Sequence, residues 1–127
     1  MSRSILVVDD EDVTREILQI LLEMEGFTVF AAADGLEALE KVAECRPDLI
    51  ILDLMMPRLD GLGVCKQLRA QPETADLAII LLSGNSQDRA VTAGLRAGAN
   101  AYLMKPIDPP LLLSEINKYL NLTLKPS

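Results

Sequence analysis

The chain has 127 residues, enough for one domain with a continuous core and no disulfide or metal staple. Half of it is hydrophobic but only 3% is aromatic, so the core is expected to be Leu, Ile, Val, Ala and Met, as in a parallel α/β sheet. A net charge of −7 argues against sequence-independent nucleic-acid binding, and the absence of histidine excludes Ser-His or Cys-His catalysis and His-ligated zinc.

Short apolar runs at residues 4 to 9, 28 to 32, 48 to 53, 77 to 83 and 100 to 104 alternate with segments of helical period, a βα unit repeated five times. After the first run, Val13, Ile17, Ile20, Leu21 and Met24 recur at helical spacing and predict a buried face that Gly26 can terminate. Thr28-Val29-Phe30-Ala31-Ala32 reads as an edge strand, because runs one, three and four are more continuously apolar and hence central. Leu36, Leu39, Val42 and Ala43 carry the next helix towards Pro47, and Leu62, Cys65 and Leu68 form a narrower stripe after Gly61. The helix predicted from Ser86 to Ala97 is rich in Ala and contains Gly94, so shallow packing is expected. Leu112, Ile116, Tyr119 and Leu120 form the last stripe, and Asn121 to Ser127 reads as a polar tail or linker stub.

This alternation implies a doubly wound parallel sheet with helices on both faces and right-handed crossovers. Cys45 and Cys65 lie in different predicted helices without metal-ligand spacing, so two reduced thiols are expected. The longest apolar run, Leu77 to Leu82, is too short to span a bilayer, and the start lacks a signal-peptide apolar region, so a soluble cytoplasmic protein is expected.

In such sheets ligands bind beyond the carboxyl ends of the strands, where strand order reverses. Leu6-Val7-Val8-Asp9-Asp10 places two carboxylates where an apolar run stops, and Leu49-Ile50-Ile51-Leu52-Asp53 adds a third. Neighbouring strands would bring all three together, a cluster tolerable only with a cation, a proton or a fixed lysine beside it. Ser83 and Lys105 end two later runs at the same edge. Taken singly, each residue has a plainer reading: Asp9 and Asp10 as acids at a helix N-terminus, Ser83 before Gly84 as a turn residue, Lys105 as a solvated loop lysine. Those readings leave unexplained why two acids, a third acid, a hydroxyl and an ammonium should end four strands of one sheet. Together they describe a pocket for handling a phosphoryl group.

Val7-Val8-Asp9-Asp10, Leu52-Asp53-Leu54-Met55-Met56-Pro57 with Asp60-Gly61, Ser83-Gly84, Gly98-Ala99 before Tyr102, and Lys105-Pro106 resemble the receiver domain of two-component response regulators. The likeness runs from residue 4 to about 120. It implies a CheY-like, flavodoxin-like three-layer sandwich with strand order 2-1-3-4-5, over a receiver domain at 1–121 and a tail at 122–127. It further implies Asp53 as phosphoacceptor and Mg²⁺, with Mn²⁺ as an alternative, on Asp10, Asp53 and the Met55 carbonyl, Asp9 serving as ligand or support. Lys105 and Ser83 would contact phosphoryl oxygens, and Tyr102, outward at rest, would move in behind Ser83 and carry the change to the surface of the fourth helix, last strand and fifth helix. The Lys105-Pro106 bond is cis in this family. The implied partners are a histidine kinase or histidine phosphotransfer protein and a downstream effector, with a phosphorylation-dependent homodimer as one output and no direct contact with nucleic acid or membrane.

Met55 and Asn85 depart from commoner forms of the pattern near the phosphoacceptor and Ser83, and Asn100-Ala101 and Ile107 stand where regulators with winged-helix effectors often carry Asp-Asp and Phe, which puts that subfamily's charged dimer interface in doubt. Three other functions compete. An unphosphorylated docking domain is disfavoured by the complete set of pocket residues. An aspartyl phosphatase of the haloacid dehalogenase type needs a second Asp where Met55 stands, and a thioether cannot act as a general acid. Dinucleotide binding fails because Asp9-Asp10-Glu11-Asp12 replaces a glycine-rich turn after the first strand.

Overall fold

The computed structural model describes residues 3–84 and 87–123. Ten elements follow in order: β1 Ser4–Val8, α1 Asp12–Met24, β2 Thr28–Ala32, α2 Gly35–Cys45, β3 Leu49–Asp53, α3 Gly61–Arg69, β4 Ala78–Ser83, α4 Asp88–Arg96, β5 Ala101–Met104 and α5 Pro109–Thr123. The strands form one parallel sheet in the order β2-β1-β3-β4-β5, so β1, β3 and β4 are central and β2 lies at an edge, as their composition implies.

Because side chains alternate along a strand, the continuously apolar runs feed two cores at once. Leu6, Val8, Ile50, Leu52, Ile79 and Leu81 meet Ala38 and Val42 of α2 and Val64, Cys65 and Leu68 of α3. Ile5, Val7, Leu49, Ile51, Ile80 and Leu82 meet Leu18 and Leu22 of α1 and Leu112, Ile116 and Leu120 of α5. Helices α2 and α3 start where a side-chain oxygen takes up a free N–H group: Asp34 accepts from Glu37 N at 2.9 Å and Asp60 from Gly63 N at 2.8 Å. Gly26, at φ +95°, ends the α1 turn as expected. Both cysteines are free thiols.

The buried face of α1 differs from the one its spacing predicts. Val13, Ile17, Ile20 and Met24 are 68%, 54%, 58% and 79% exposed, whereas Leu18 and Leu22 are buried. The sequence offers two apolar stripes about a third of a turn apart, and only one can face the sheet. The leucine stripe wins, with Leu21 common to both readings, and this rotation also lets Arg15 Nη1 donate to the Asp9 carbonyl at 2.7 Å.

At the other end, α5 continues through Thr123, so residues 121 to 123 are helical instead of part of the expected tail; 124–127 lie outside the described residues. The expected fourth helix starts at Asp88, and Ser86 and Asn85 lie outside the described residues. Within α4 only Gly94 is buried, which bears out its shallow packing. Gly94 is a seat for neighbouring side chains: a Cβ there would lie 2.8 Å from Leu81 Cδ1 and 3.0 Å from Tyr102 Cδ2. Among the described residues, no helix is long and apolar enough to cross a membrane.

Candidate functional site

Val8 and Leu52 are register partners on adjacent parallel strands, so the residues that follow them, Asp9 and Asp53, emerge side by side at the carboxyl edge of the sheet. One carboxylate oxygen from each of Asp9, Asp10 and Asp53 lies within 4.8 Å of the others. Asp9 and Asp53 are only 1% and 6% exposed, while Asp10 faces solvent.

Lys105 reaches this cluster from the end of β5. Its Nζ lies 3.1 Å from Asp9 Oδ2 and 3.4 Å from Asp53 Oδ2, with Glu11 Oε1 at 3.8 Å. The Lys105 backbone is fixed by donation from its N–H to the Ser83 carbonyl at 2.8 Å, and the Lys105-Pro106 bond is cis. Ser83 is buried at the end of β4, one residue beyond the Leu82 that pairs with Asp53.

The loop after Asp53 folds tightly against it. Met55 N donates to Asp53 Oδ1 at 3.3 Å, Gly61 N donates to the Leu54 carbonyl at 2.9 Å, and the Met55 side chain is 69% exposed. Gly61 is required here, since a Cβ would lie 2.8 Å from the Asp53 carbonyl oxygen. Tyr102, expected to sit outward at rest, is half-buried against Gly94 and the core formed with α2 and α3.

The electrostatics follow from this crowding. Burial, and to a lesser degree the nearby Asp9, raise the Asp53 carboxyl from 3.8 to about 6, against the pull of Lys105 and the Met55 N–H. Burial opposes the Lys105 charge, but the Asp9 and Asp53 carboxylates outweigh it and hold the ammonium above its ordinary range. The site therefore has an acid pair with one cation between its members and, among the described residues, no cation paired with the solvent-facing Asp10.

The donors suit a hard cation. Asp9, Asp10 and Asp53 offer carboxylate oxygens and the adjoining loop offers backbone carbonyls, with no thiol or imidazole among them, as Mg²⁺ or Mn²⁺ prefers. A partial cage open to water on the Asp10 side matches the reluctance of Mg²⁺ to lose its hydration.

Every pocket residue expected from the sequence sits at this edge, and Tyr102 lies behind it in β5. Three others escaped notice. Glu11 completes the acid ring around Lys105, Arg15 ties α1 to the Asp9 carbonyl, and Arg58 pairs with Asp34 across 24 positions of sequence. The acid run Asp9 to Asp12 hinted at Glu11, but nothing local marks the Arg58 partner.

The family model for the response regulator receiver domain matches residues 5–117. The response regulator MprA of Mycobacterium ulcerans (strain Agy99) is 48% identical over 123 residues, 97% of this chain and 52% of that protein. MprA of Mycobacterium tuberculosis (strain ATCC 25618 / H37Rv) is 46% identical with 97% and 53% covered, so the chain spans about half the length of these curated relatives. Among solved structures, a response regulator from Chloroflexus aurantiacus described as putative superposes with a TM-score of 0.91 at 38% identity, covering 94% of this chain and 98% of that one. Chemotaxis protein CheY4 of Vibrio cholerae superposes with a TM-score of 0.88 at 32% identity, over 94% of this chain and 99% of that one. Fold, site and sequence agree, and the chain belongs to the response regulator receiver domain family.

Proposed function

We propose that Asp53 accepts a phosphoryl group from a phosphohistidine on a partner histidine kinase or histidine phosphotransfer protein. A P–O bond to the Asp53 carboxylate forms as the P–N bond to the donor imidazole breaks, and that nitrogen keeps the electron pair and takes up a proton. The observation that carries this reading is Lys105 Nζ set 3.1 and 3.4 Å from two buried carboxylates at one sheet edge, a fixed cation where phosphoryl charge would arrive.

Asp10, Asp53 and the Met55 carbonyl would hold Mg²⁺ or Mn²⁺, with Asp9 supporting the set through Lys105. The ion, when bound, supplies positive charge that offsets both the carboxylates and the incoming phosphoryl oxygens. Lys105 pairs with one phosphoryl oxygen and Ser83 donates a hydrogen bond to another. Because a phosphoryl group biases a conformational equilibrium only through such differential contacts, Ser83 and Lys105 are the levers that reposition Tyr102 and the shallowly packed α4. The output is altered binding of an effector protein, or of a second copy, at the surface of α4, β5 and α5.

In this reading the chain is a cytoplasmic signalling module that promotes only its own phosphorylation and dephosphorylation, without direct contact with nucleic acid or membrane. The receiver domain covers 1–121, with α5 continuing to Thr123.

Reaction with acetyl phosphate and Mg²⁺ followed by borohydride reduction tests the assignment, since an aspartyl phosphate is reduced to homoserine. Peptide mass mapping is expected to place homoserine at position 53 alone. Homoserine at position 9 or 10, or at none, would overturn it.

A further inference from the structure

We infer that Arg58, clamped on Asp34, is a positioning residue for the acid pocket, setting the spacing between the loop after β3 and the loop after β1. The inference rests on the phosphoacceptor reading of Asp53.

Arg58 sits midway along the loop that joins Asp53 to α3, at φ +68°, a left-handed conformation costly for a residue with a Cβ. Its guanidinium returns that cost through two contacts to one carboxylate oxygen: Nε at 3.0 Å and Nη2 at 2.6 Å from Asp34 Oδ2. The other oxygen of Asp34 caps α2 by accepting from Glu37 N at 2.9 Å. Donation from Glu37 N, and then Arg58, hold the Asp34 carboxyl below its ordinary value against the opposing effect of burial. Asp34 is therefore a charged, rigid anchor.

The next residue on each side makes the seat closer still. A Cβ on Gly35 would lie 2.0 Å from the Leu59 carbonyl oxygen, so the loop backbone rests directly on the first turn of α2. The end of β2, just before this segment, also holds the other acid loop, because Asp9 N donates to the carbonyl of Ala32, the last residue of β2, at 3.2 Å. Residues 32 to 35 thus bear the Asp9 loop on one side and the Met55 to Leu59 loop on the other. Arg58 is the side chain that fastens the second loop to this platform.

The test measures Mg²⁺ affinity by calorimetry on the unphosphorylated chain, then the rate of Asp53 phosphorylation by acetyl phosphate at limiting and saturating Mg²⁺. Arg58→Gly keeps the positive φ without strain and deletes the clamp, Asp34→Asn keeps an oxygen for the cap and deletes the charge, and Arg58→Lys keeps a single donor. An exposed ion pair bounds the expected effect: about three- to fivefold weaker Mg²⁺ binding in Arg58→Gly. Partial recovery is expected in Arg58→Lys, and saturating Mg²⁺ should restore the phosphorylation rate. The double variant Arg58→Gly, Asp34→Asn should lose no more than either single one, as a coupled pair requires. Unchanged Mg²⁺ affinity in both single variants, or losses that add, would overturn the positioning role while the parent chain still took up phosphate. A parent chain that binds Mg²⁺ but is never phosphorylated at Asp53 would overturn the phosphoacceptor reading and this inference with it.

Discussion

Asp53 is the residue where burial and chemistry conflict most openly. A carboxyl that titrates at about 6 in the fold and at 3.8 without it holds a proton in the folded chain that the unfolded chain has already lost across that window. The sign follows: in the metal-free chain stability falls as pH rises from about 4 to about 6, because the fold must then accommodate a desolvated charge. Asp53→Asn never ionises, and Asp9 still partners Lys105. In excess chelator this variant is expected to be more stable than the parent at pH 7 by about 1 to 2 kcal/mol, an advantage that disappears near pH 4. Urea unfolding of both proteins at the two pH values checks this, and equal stability at pH 7 contradicts it. Cys65 shows the same burial without the conflict: its thiol is pushed up to about 11, stays neutral and simply packs.

Among the elements, α1 is the most instructive. Its stripe of Val13, Ile17, Ile20 and Met24 satisfies helical periodicity as well as the leucine stripe does, and periodicity measures amphipathicity without saying which side meets the sheet. The sheet decides, through the contact of Leu18 and Leu22 with the core built on Ile5 and Val7. Leu22→Ala is therefore expected to cost about 2 to 5 kcal/mol, and Ile17→Glu to stay within about 0.5 kcal/mol of the parent. Thermal or urea unfolding of the two variants distinguishes them, and a larger loss in Ile17→Glu would reverse the assignment of faces. The strands were readable because a buried parallel strand needs an unbroken apolar run, and each such run appears in β1, β3 and β4. The pocket was readable because Asp9, Asp53, Ser83 and Lys105 each end a run, so the sheet alone brings them to one edge. The clamp of Arg58 on Asp34 and the bonding of Arg69 Nη2 to Asn100 Oδ1 at 3.1 Å were not readable. They join residues 24 and 31 positions apart through loops, where no period constrains which side chains meet.

At the scale of the whole molecule, the sheet separates two jobs. Its carboxyl edge gathers the acids and Lys105, and its opposite edge is locked, with Arg69 donating to the Gly98, Thr74 and Ala75 carbonyls at 2.9 to 3.2 Å. Tyr119 Oη donates to the Asn100 carbonyl at 2.9 Å, so α5 joins the same fixed end. Gly94 is the one buried residue of α4 among those described, so under the proposed function a change at Ser83 is expected to displace the end of α4 nearest the pocket. Driving such an element from 1:99 to 99:1 takes about 5.5 kcal/mol, more than one ion pair and one hydrogen bond readily supply. Under the proposed function, the expected outcome is therefore a graded switch already sampled before phosphorylation.

The proposed function depends on Asp53 taking up a phosphoryl group with the help of a divalent cation. Intact-mass measurement of the chain after acetyl phosphate treatment decides it most directly, run on the parent with Mg²⁺, the parent in excess chelator, and Asp53→Asn with Mg²⁺. One phosphoryl adduct is expected in the first sample and none in the other two. An equal adduct in Asp53→Asn, or full reaction in excess chelator, would contradict the account.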